Sequence, residues 1–496
     1  MEHYGIWSVI PPLVAIVLAI RTKKVFIALF GGIWMSYLVL NRGHPVASFY
    51  DAVLSLVKVF KSEGNTKTIM FSALVGALIL FVQKSGGVAG FVRSMQEKLK
   101  FSGNQPDKLR RKVAFFAWLT GIVVFVETSI SSLTVGTVFR PLFDKLRISR
   151  EKLAYLADSS SAPVSVLLPF NAWGAFIMGL LLVEGLDKPF VWLMRSIPYN
   201  FYAWITLFVG FWVIMKNWHI GPMKSAERRV RETGKLLDDF AVPMVSEALT
   251  EVSPVPDAKP KAYNMLVPVA VMVLMMPVLL AVTGWDSGLP GWENASFFRK
   301  IISAMGNGSG STSVLFAVIT ALAVAALMYK YQKIAGLNEI NEWTLKGISE
   351  MMPLALLMMM AFAIGSVTKS LGTGIYLAEL SEGFLAPEFI PVIIFLLSAF
   401  IAFSTGTSWG TFAIMIPIAV PVALKSGVPV PLVLASVLSG GVFGDHASPI
   451  SDTTIISSMA AATDHIDHVK TQLPYALLSA AAASIFFVTA GLLLTG

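Results

Sequence analysis

Apolar runs recur along the chain near 5–20, 25–40, 68–83, 113–126, 130–143, 153–184 and 188–215. They return near 264–284, 311–329, 349–368, 388–403, 411–424, 430–443 and 473–495. Several reach the length of about 17–25 residues that a helix needs to cross roughly 30 Å of hydrocarbon. The pattern predicts an all-α polytopic membrane protein. Residues 5–20 read as a first span, because "MEHYGIW" lacks the basic region and cleavage site of a signal peptide.

Some runs break the simple pattern. The runs 113–126 and 130–143 are short for full spans, and their junction "VETSISS", 126–132, is polar. Basic stretches flank the pair: Lys84 to Lys112 before it, and Lys145, Arg147, Arg150 and Lys152 after it. If both basic stretches are cytoplasmic, the chain enters the membrane and returns on the same side, as a re-entrant hairpin. Two tight ordinary spans are the alternative. Polar backbone at membrane depth is tolerated only inside protein or beside a cavity.

The second half follows the same plan. Three spans precede two apolar arms around "FSTGTSWGT", 403–411, and a Gly/Pro-interrupted segment over 430–462. The interrupted segment of the first half is 153–184, with "ADSSSAPVSVLLPFN". Setting Pro163 on Pro449 pairs Ser165 with Ser451 and brings Asp158 near the level of Asp445. Five crossings per half would invert the second copy. The expected architecture is two inverted repeats, each with a re-entrant hairpin and a broken transmembrane helix, unless the likeness of these Ser-rich segments is chance. The first repeat is 1–215, a charged cytoplasmic linker with a partly helical start is 216–262, and the second repeat is 263–496. Matching interruptions in two such halves point to a transporter's binding site.

Composition sharpens this. The 496 residues are 55% hydrophobic and 14% charged, whereas soluble domains carry about 25% charged residues. The net charge of +8 is accounted for by cytoplasmic loops and does not indicate nucleic-acid binding. With no cysteine, disulfides, thiolate metal sites and a cysteine nucleophile are excluded.

The chemistry gathers in "GVFGDHASPISDTTIISS", 441–458. An Asp at a membrane-helix centre costs about 2.5–3.5 kcal/mol on insertion scales, so Asp445 and Asp452 need a cation, a proton or a hydrogen-bond network. Ser448, Ser451, Thr453 and Thr454 supply hard oxygens. Asp158 with Ser159–Ser161 is a second acidic position and Glu127 a third; Asn171, an uncharged polar group just after Pro169, is a weaker candidate. Thr128, Ser129, Ser131 and Ser132 at one tip, and Ser404, Thr405, Thr407 and Ser408 at the other, either supply ligand oxygens or cap turns. His446 tunes a carboxyl or steadies the bend. His465 and His468 form a pH sensor or a solvated turn; two His alone make no Zn²⁺ site. The Met-rich run 351–360 reads as flexible packing rather than a soft-metal path.

"FGDHASPISDTTIISS" closely resembles the signature of the NhaC-type Na⁺/H⁺ antiporter family, and "YLADSSSAPVSVLLPFNAWGAF" and "FSTGTSWGT" resemble its other polar segments. The resemblance runs over essentially the whole chain. It carries Asp445, His446, Ser448, Ser451, Asp452, Thr453 and Thr454 as motif residues, and it implies two inverted repeats. The expected protein is a secondary antiporter of a bacterial-type cytoplasmic (inner) membrane. It would exchange Na⁺ for H⁺ by alternating access, with Na⁺ at Asp445, Asp452 and Ser451. Beyond Na⁺, H⁺ and the lipid bilayer, no cofactor is expected; a homodimer is an arrangement the sequence leaves open. The same family includes malate/lactate-type exchangers, so coupling of small organic acids or amino acids is the alternative. An ion channel fits the polar breaks but gives no reason for inverted copies with proton-exchangeable carboxylates. An intramembrane aspartyl protease is disfavoured, because Val442-Phe443-Gly444-Asp445 lacks that family's first Gly. No Gly-x4-Gly-Lys-Ser/Thr loop indicates ATP drive.

Overall fold

The computed structural model describes residues 3–22, 24–98, 106–125, 128–243, 260–286, 296–381 and 386–495. Among these the secondary structure is helical, apart from one isolated bridge between Pro243 and Asp464. Ten helices among the described residues are long and apolar enough to cross a membrane. Their burial sorts them by position. The window in Arg150–Val183 is 78% buried and that in Val430–Ala447 is 89% buried, against 28% for Tyr263–Thr283 and for His465–Thr495. The two polar, interrupted segments therefore lie at the centre, and the evenly apolar helices form the periphery that lipid would cover.

Both central segments are broken. Arg150–Leu167 is followed by Ala172–Val183, and Val430–Ala447 by Asp452–Ala461. A helical hairpin precedes each: Pro106–Val123 with Thr128–Lys145, and Ile390–Thr405 with Ser408–Ser426. The ten span candidates include the second hairpin's arms but not the first's, whose mean hydropathy is lowered by Arg and Lys near its ends. The bend of the second hairpin depends on Gly406. It takes φ 68°, the left-handed region open to glycine. A Cβ there would also lie 2.6 Å from the Ile450 carbonyl oxygen, so the tip presses on the second break. On Val430–Ala447, Gly440 and Gly444 face Ile390–Thr405. A Cβ at Gly440 would come within 2.7 Å of Ser398 Cβ, and one at Gly444 would strike Ala399 O and Phe403 N. Small residues four apart let two membrane helices touch backbone to backbone.

Helices also form in stretches the apolar pattern leaves as connections. Pro45–Lys58 lies within 41–67, and Phe297–Asn307 precedes the Gly310–Tyr331 span. The expected helical start of the linker is Gly221–Thr233. It docks by Glu227, which accepts from Ser149 N and Oγ at 2.8 Å each, and by Arg229, which meets Glu151 at 2.6 Å. Farther on, Val242 N donates to Asp464 Oδ2 at 2.9 Å. Burial pushes the Asp464 carboxyl up, but the N–H groups of Val242, Asp467 and Ile466 outweigh it and hold the group below its ordinary range.

Candidate ion-binding site

Both breaks arise from one local signal. Leu168 and Ser448 precede Pro169 and Pro449, and proline drives the residue before it out of the helical region. Leu168 sits at φ −112°, ψ 101°, and Ser448 at φ −81°, ψ 133°. A polar N-cap then restarts each helix: the Asn171 side chain accepts from Gly174 N, and that of Ser451 from Thr454 N.

The two breaks share a register. Arg150–Leu167 and Val430–Ala447 stand 280 positions apart at both ends (150 to 430, 167 to 447). The same spacing links the hairpin-arm starts Thr128 and Ser408, the prolines 169 and 449, and the caps 171 and 451. The expected pairing of Pro163 with Pro449 and Ser165 with Ser451 is corrected. Pro163 lies inside an unbroken helix, where losing one backbone donor does not stop the turn. The counterpart of Asp445 is Ser165, not Asp158. Contacts agree: Thr128 Oγ1 lies 3.2 Å from Ser165 Oγ, and Ser408 Oγ donates to Asp445 Oδ2 at 2.5 Å.

Asp445 is 1% exposed. Its Oδ2 accepts from the Ser408 hydroxyl and from Ser408 N at 3.3 Å, and its Oδ1 accepts from the Ser451 hydroxyl. Hairpin tip and break thus meet on one carboxylate. Asp158, fully buried, accepts at Oδ2 from Thr454 Oγ1 at 3.2 Å and from Gln472 Nε2 at 2.8 Å. Its Oδ1 is buried without a hydrogen-bond partner. The two acids therefore bracket the first turn of Asp452–Ala461, one through Ser451 and the other through Thr454. A helix N-terminus favours negative charge at this place.

Asp452 departs from expectation. It begins that helix with its side chain exposed rather than buried, and Thr453 N donates to its Oδ1 at 2.9 Å. It lies close enough to act electrostatically on Asp445 and Asp158. Thr453 Oγ1 lies 2.9 Å from Ser451 Oγ. Ser448 Oγ donates to Phe403 O at 2.7 Å and ties the break to the hairpin arm.

The other candidates divide. Ser132 meets Ser161 at 2.9 Å, and Ser131 donates to Gly121 O at 2.8 Å. Thr405 turns into its own helix, donating to Ile401 O, and the Thr407 carbonyl accepts from Thr411. Ser129 and Ser404 are half-buried. Glu127 lies outside the described residues. His446 is fully buried, with Nδ1 2.7 Å from Tyr202 Oη and Nε2 without a partner. The reading of His465 and His468 as a solvated turn is corrected for His468, which is fully buried. No three His, Cys, Asp or Glu side chains among the described residues are grouped to hold a metal, so any cation here would rely on hydroxyl and carbonyl oxygens beside a carboxylate.

Sequence reasoning passed over Gln472 and Tyr202. Gln472 follows His468 by one helical turn, the spacing that puts an amide beside an imidazole, and that was its one signal. Tyr202 sits in an evenly apolar helix and gave none.

A polytopic helical fold with two broken central helices, and buried acids held at their interruptions by hydroxyls, defines the class: a multi-pass membrane transporter of the secondary antiport kind. The model of the Na⁺/H⁺ antiporter family matches residues 187–492, and the chain belongs to that family. It is 32% identical over 506 aligned residues to a Haemophilus influenzae protein of no assigned activity, covering 99% of this chain and 92% of the relative. The malate-2H⁺/Na⁺-lactate antiporter of Bacillus subtilis is 36% identical over 114 residues, 22% of this chain and 24% of that one. Among solved structures, the YdaH transporter of Alcanivorax borkumensis shares the fold at TM-score 0.55 and 13% identity, over 90% of this chain and 89% of that one.

Proposed function

We propose that the protein exchanges Na⁺ for H⁺ across a bacterial-type cytoplasmic membrane by alternating access, with Asp445 as the carboxylate at which the two ions compete. The carrying observation is that Asp445, though buried, has both oxygens facing hydroxyls, Ser408 from the hairpin tip and Ser451 from the break. A buried carboxylate must be neutralised. A proton does this directly; Na⁺ does it if the hydroxyls rotate to present lone pairs. Asp452, exposed at the start of its helix, is the entry carboxylate, and Asp158 the second buried acid. Ser451 and Thr453 complete the oxygen shell.

The two units, 1–215 and 263–496, are read as inverted repeats with re-entrant hairpins, joined by the cytoplasmic linker 216–262. The shared spacing of 280 supports this. So do the contacts of Asp464 and Arg150, which bring the end of the second broken helix to the same face as the basic linker. The relation to a malate/lactate antiporter favours, as a second reading, exchange of a small organic acid coupled to the same ions. Flux into proteoliposomes with Na⁺, Li⁺ and a panel of carboxylates and amino acids tests both. Sodium efflux driven by a pH gradient alone is the expected result. Exchange of an organic solute without any response to that gradient would replace the first reading with the second.

A further inference from the structure

His465 and His468 lie outside the carboxylate cluster yet are joined to it by hydrogen bonds. Gln472 Nε2 donates to Asp158 Oδ2 at 2.8 Å and to the His446 carbonyl at 2.5 Å. A carbonyl oxygen only accepts, which fixes the amide nitrogen on that side. Gln472 Oε1 then faces His468 Nε2 at 2.9 Å. An amide oxygen only accepts too, so His468 Nε2 carries a hydrogen. His465 Nε2 lies 2.7 Å from the Pro449 carbonyl oxygen and carries one for the same reason.

Both neutral rings therefore leave Nδ1 as an acceptor. The two Nδ1 atoms meet one hydroxyl, Ser458 Oγ, at 3.0 Å from His465 and 2.9 Å from His468. The Thr454 carbonyl, another acceptor, lies 2.7 Å from the same oxygen. Ser458 has one hydrogen for three acceptors. With both rings neutral, two of the three contacts set lone pair against lone pair. A proton on either Nδ1 turns one of those contacts into a hydrogen bond to a free lone pair of the hydroxyl. A second proton would place two imidazolium rings around one oxygen.

We propose that His465, Ser458 and His468 form a proton-binding site that holds one proton and is coupled through Gln472 to Asp158; the coupling rests on the antiport reading above. Nearby positive groups are already paired: Lys470 with Asp467, Arg150 with Asp144, and Arg229 with Glu151. Asp464 acts on His465, Asp158 lies beyond Gln472, and Asp445 and Asp452 lie beyond Asp158. His446 also faces His468, with its Nδ1 held by Tyr202. Positive charge on the pair and negative charge on Asp158 polarise the intervening amide in the same direction, so each stabilises the other. His465 is only half-buried, beside the Asp464 that receives the linker. Protons from that face thus reach a site that reports to Asp158.

The test uses the full chain in lipid nanodiscs with ¹⁵N-labelled histidine. Signals from the six His are assigned with His465→Gln and His468→Gln. The expected result is that the two rings take up one proton together in a single step. Ser458→Ala should weaken that uptake tenfold or more, one pH unit. His468→Gln, a second variant should Ser458→Ala fail to fold, should leave His465 with a similarly weakened affinity. Gln472→Leu should keep the step but uncouple it from the pH profile of Na⁺ flux. Independent titration of the two rings, or a step unchanged by both Ser458→Ala and His468→Gln, overturns the proposal. The titration needs no transport, so a chain that shows the step but no Na⁺/H⁺ exchange overturns the antiport reading and leaves the proton site standing.

Discussion

Replacing Asp445 with Asn removes one charge and almost nothing else. The side chain keeps its shape and one acceptor oxygen. Its new amide hydrogens can meet the Ser451 hydroxyl, which is free to turn toward Thr453 Oγ1, 2.9 Å away. The three bonds from Ser408 and Ser451 drop from charge-assisted, about 1.5–3 kcal/mol each, to neutral, about 0.5–1.5 kcal/mol. The variant no longer buries a charge, which offsets much of that loss. It should therefore fold and insert. Sodium binding fares differently. Two unit charges about 2.4 Å apart attract by roughly 7 kcal/mol at an effective dielectric constant of 20. If the Asn carbonyl dipole recovers half of this, the loss of about 3.5 kcal/mol weakens Na⁺ binding by roughly 300-fold or more. Sodium-dependent thermal stabilisation of purified protein reads this directly, since a ligand at about 100 times its Kd adds roughly 2.7 kcal/mol. The parent should gain stability with Na⁺ and Asp445→Asn should not, and ²²Na⁺ flux should vanish with it. If the variant is stabilised by Na⁺ as strongly as the parent, or exchanges at parent rates, Asp445 is not where the ion binds.

Apparent Na⁺ affinity in the parent should weaken as pH falls, approaching tenfold per pH unit once protons dominate the shared carboxylate; affinity flat with pH in ²²Na⁺ flux would contradict competition. Gly406→Ala should cost about 1–3 kcal/mol, because φ 68° and the Ile450 carbonyl both oppose a Cβ, read as a lowered melting temperature with slowed flux. Asp464 has its carboxyl held low by backbone N–H groups, so its charge supports docking of Val242 at neutral pH. That support is lost as pH falls below the usual carboxylate range, about 3.9. Asp464→Asn should expose the Val242 amide to hydrogen exchange at pH 7, and unchanged protection would refute this. Cysteines placed near Arg110 and Arg147 should label from the same side of the membrane; opposite-side labelling would make the first hairpin two ordinary spans.

The polar chemistry was legible in sequence because membrane helices contain so little of it. Gly444, Asp445, Pro449 and Ser451 announced a break, and the structure breaks at 448–451. The register between the halves was not legible. Over the paired helices and breaks few residues match, among them Ser159 with Ser439 and Pro169 with Pro449, and in the hairpin arms Pro141 with Pro421 and Lys145 with Lys425. The likeness lies in where the helices break and restart, with Asn171 and Ser451 capping by different side chains. Pro163 was the misleading proline, since a helix packed on every side tolerates one missing donor. Asp452 was expected to be buried because the apolar run before it stops only at Phe443, yet its place on the first turn of its helix leaves its side chain exposed. Gln472 was missed because its partners, Asp158 and the His446 carbonyl, come from two distant helices.

The spacing of 280 gives each position in the proposed ion site a counterpart that can act as its control. Ser165 occupies the place of Asp445 and keeps its contact with the hairpin arm through Thr128, but carries no charge. It shows what that position needs when only the architecture acts on it: a small polar group that joins hairpin to helix. Whatever Asp445 does beyond this is chemistry added to one copy. The same subtraction applies at Asn171 against Ser451 and at Thr128 against Ser408. In this protein the question of which polar contacts hold the helices together and which serve an ion can be put to each pair of counterparts in turn, with one half of the chain as the reference for the other.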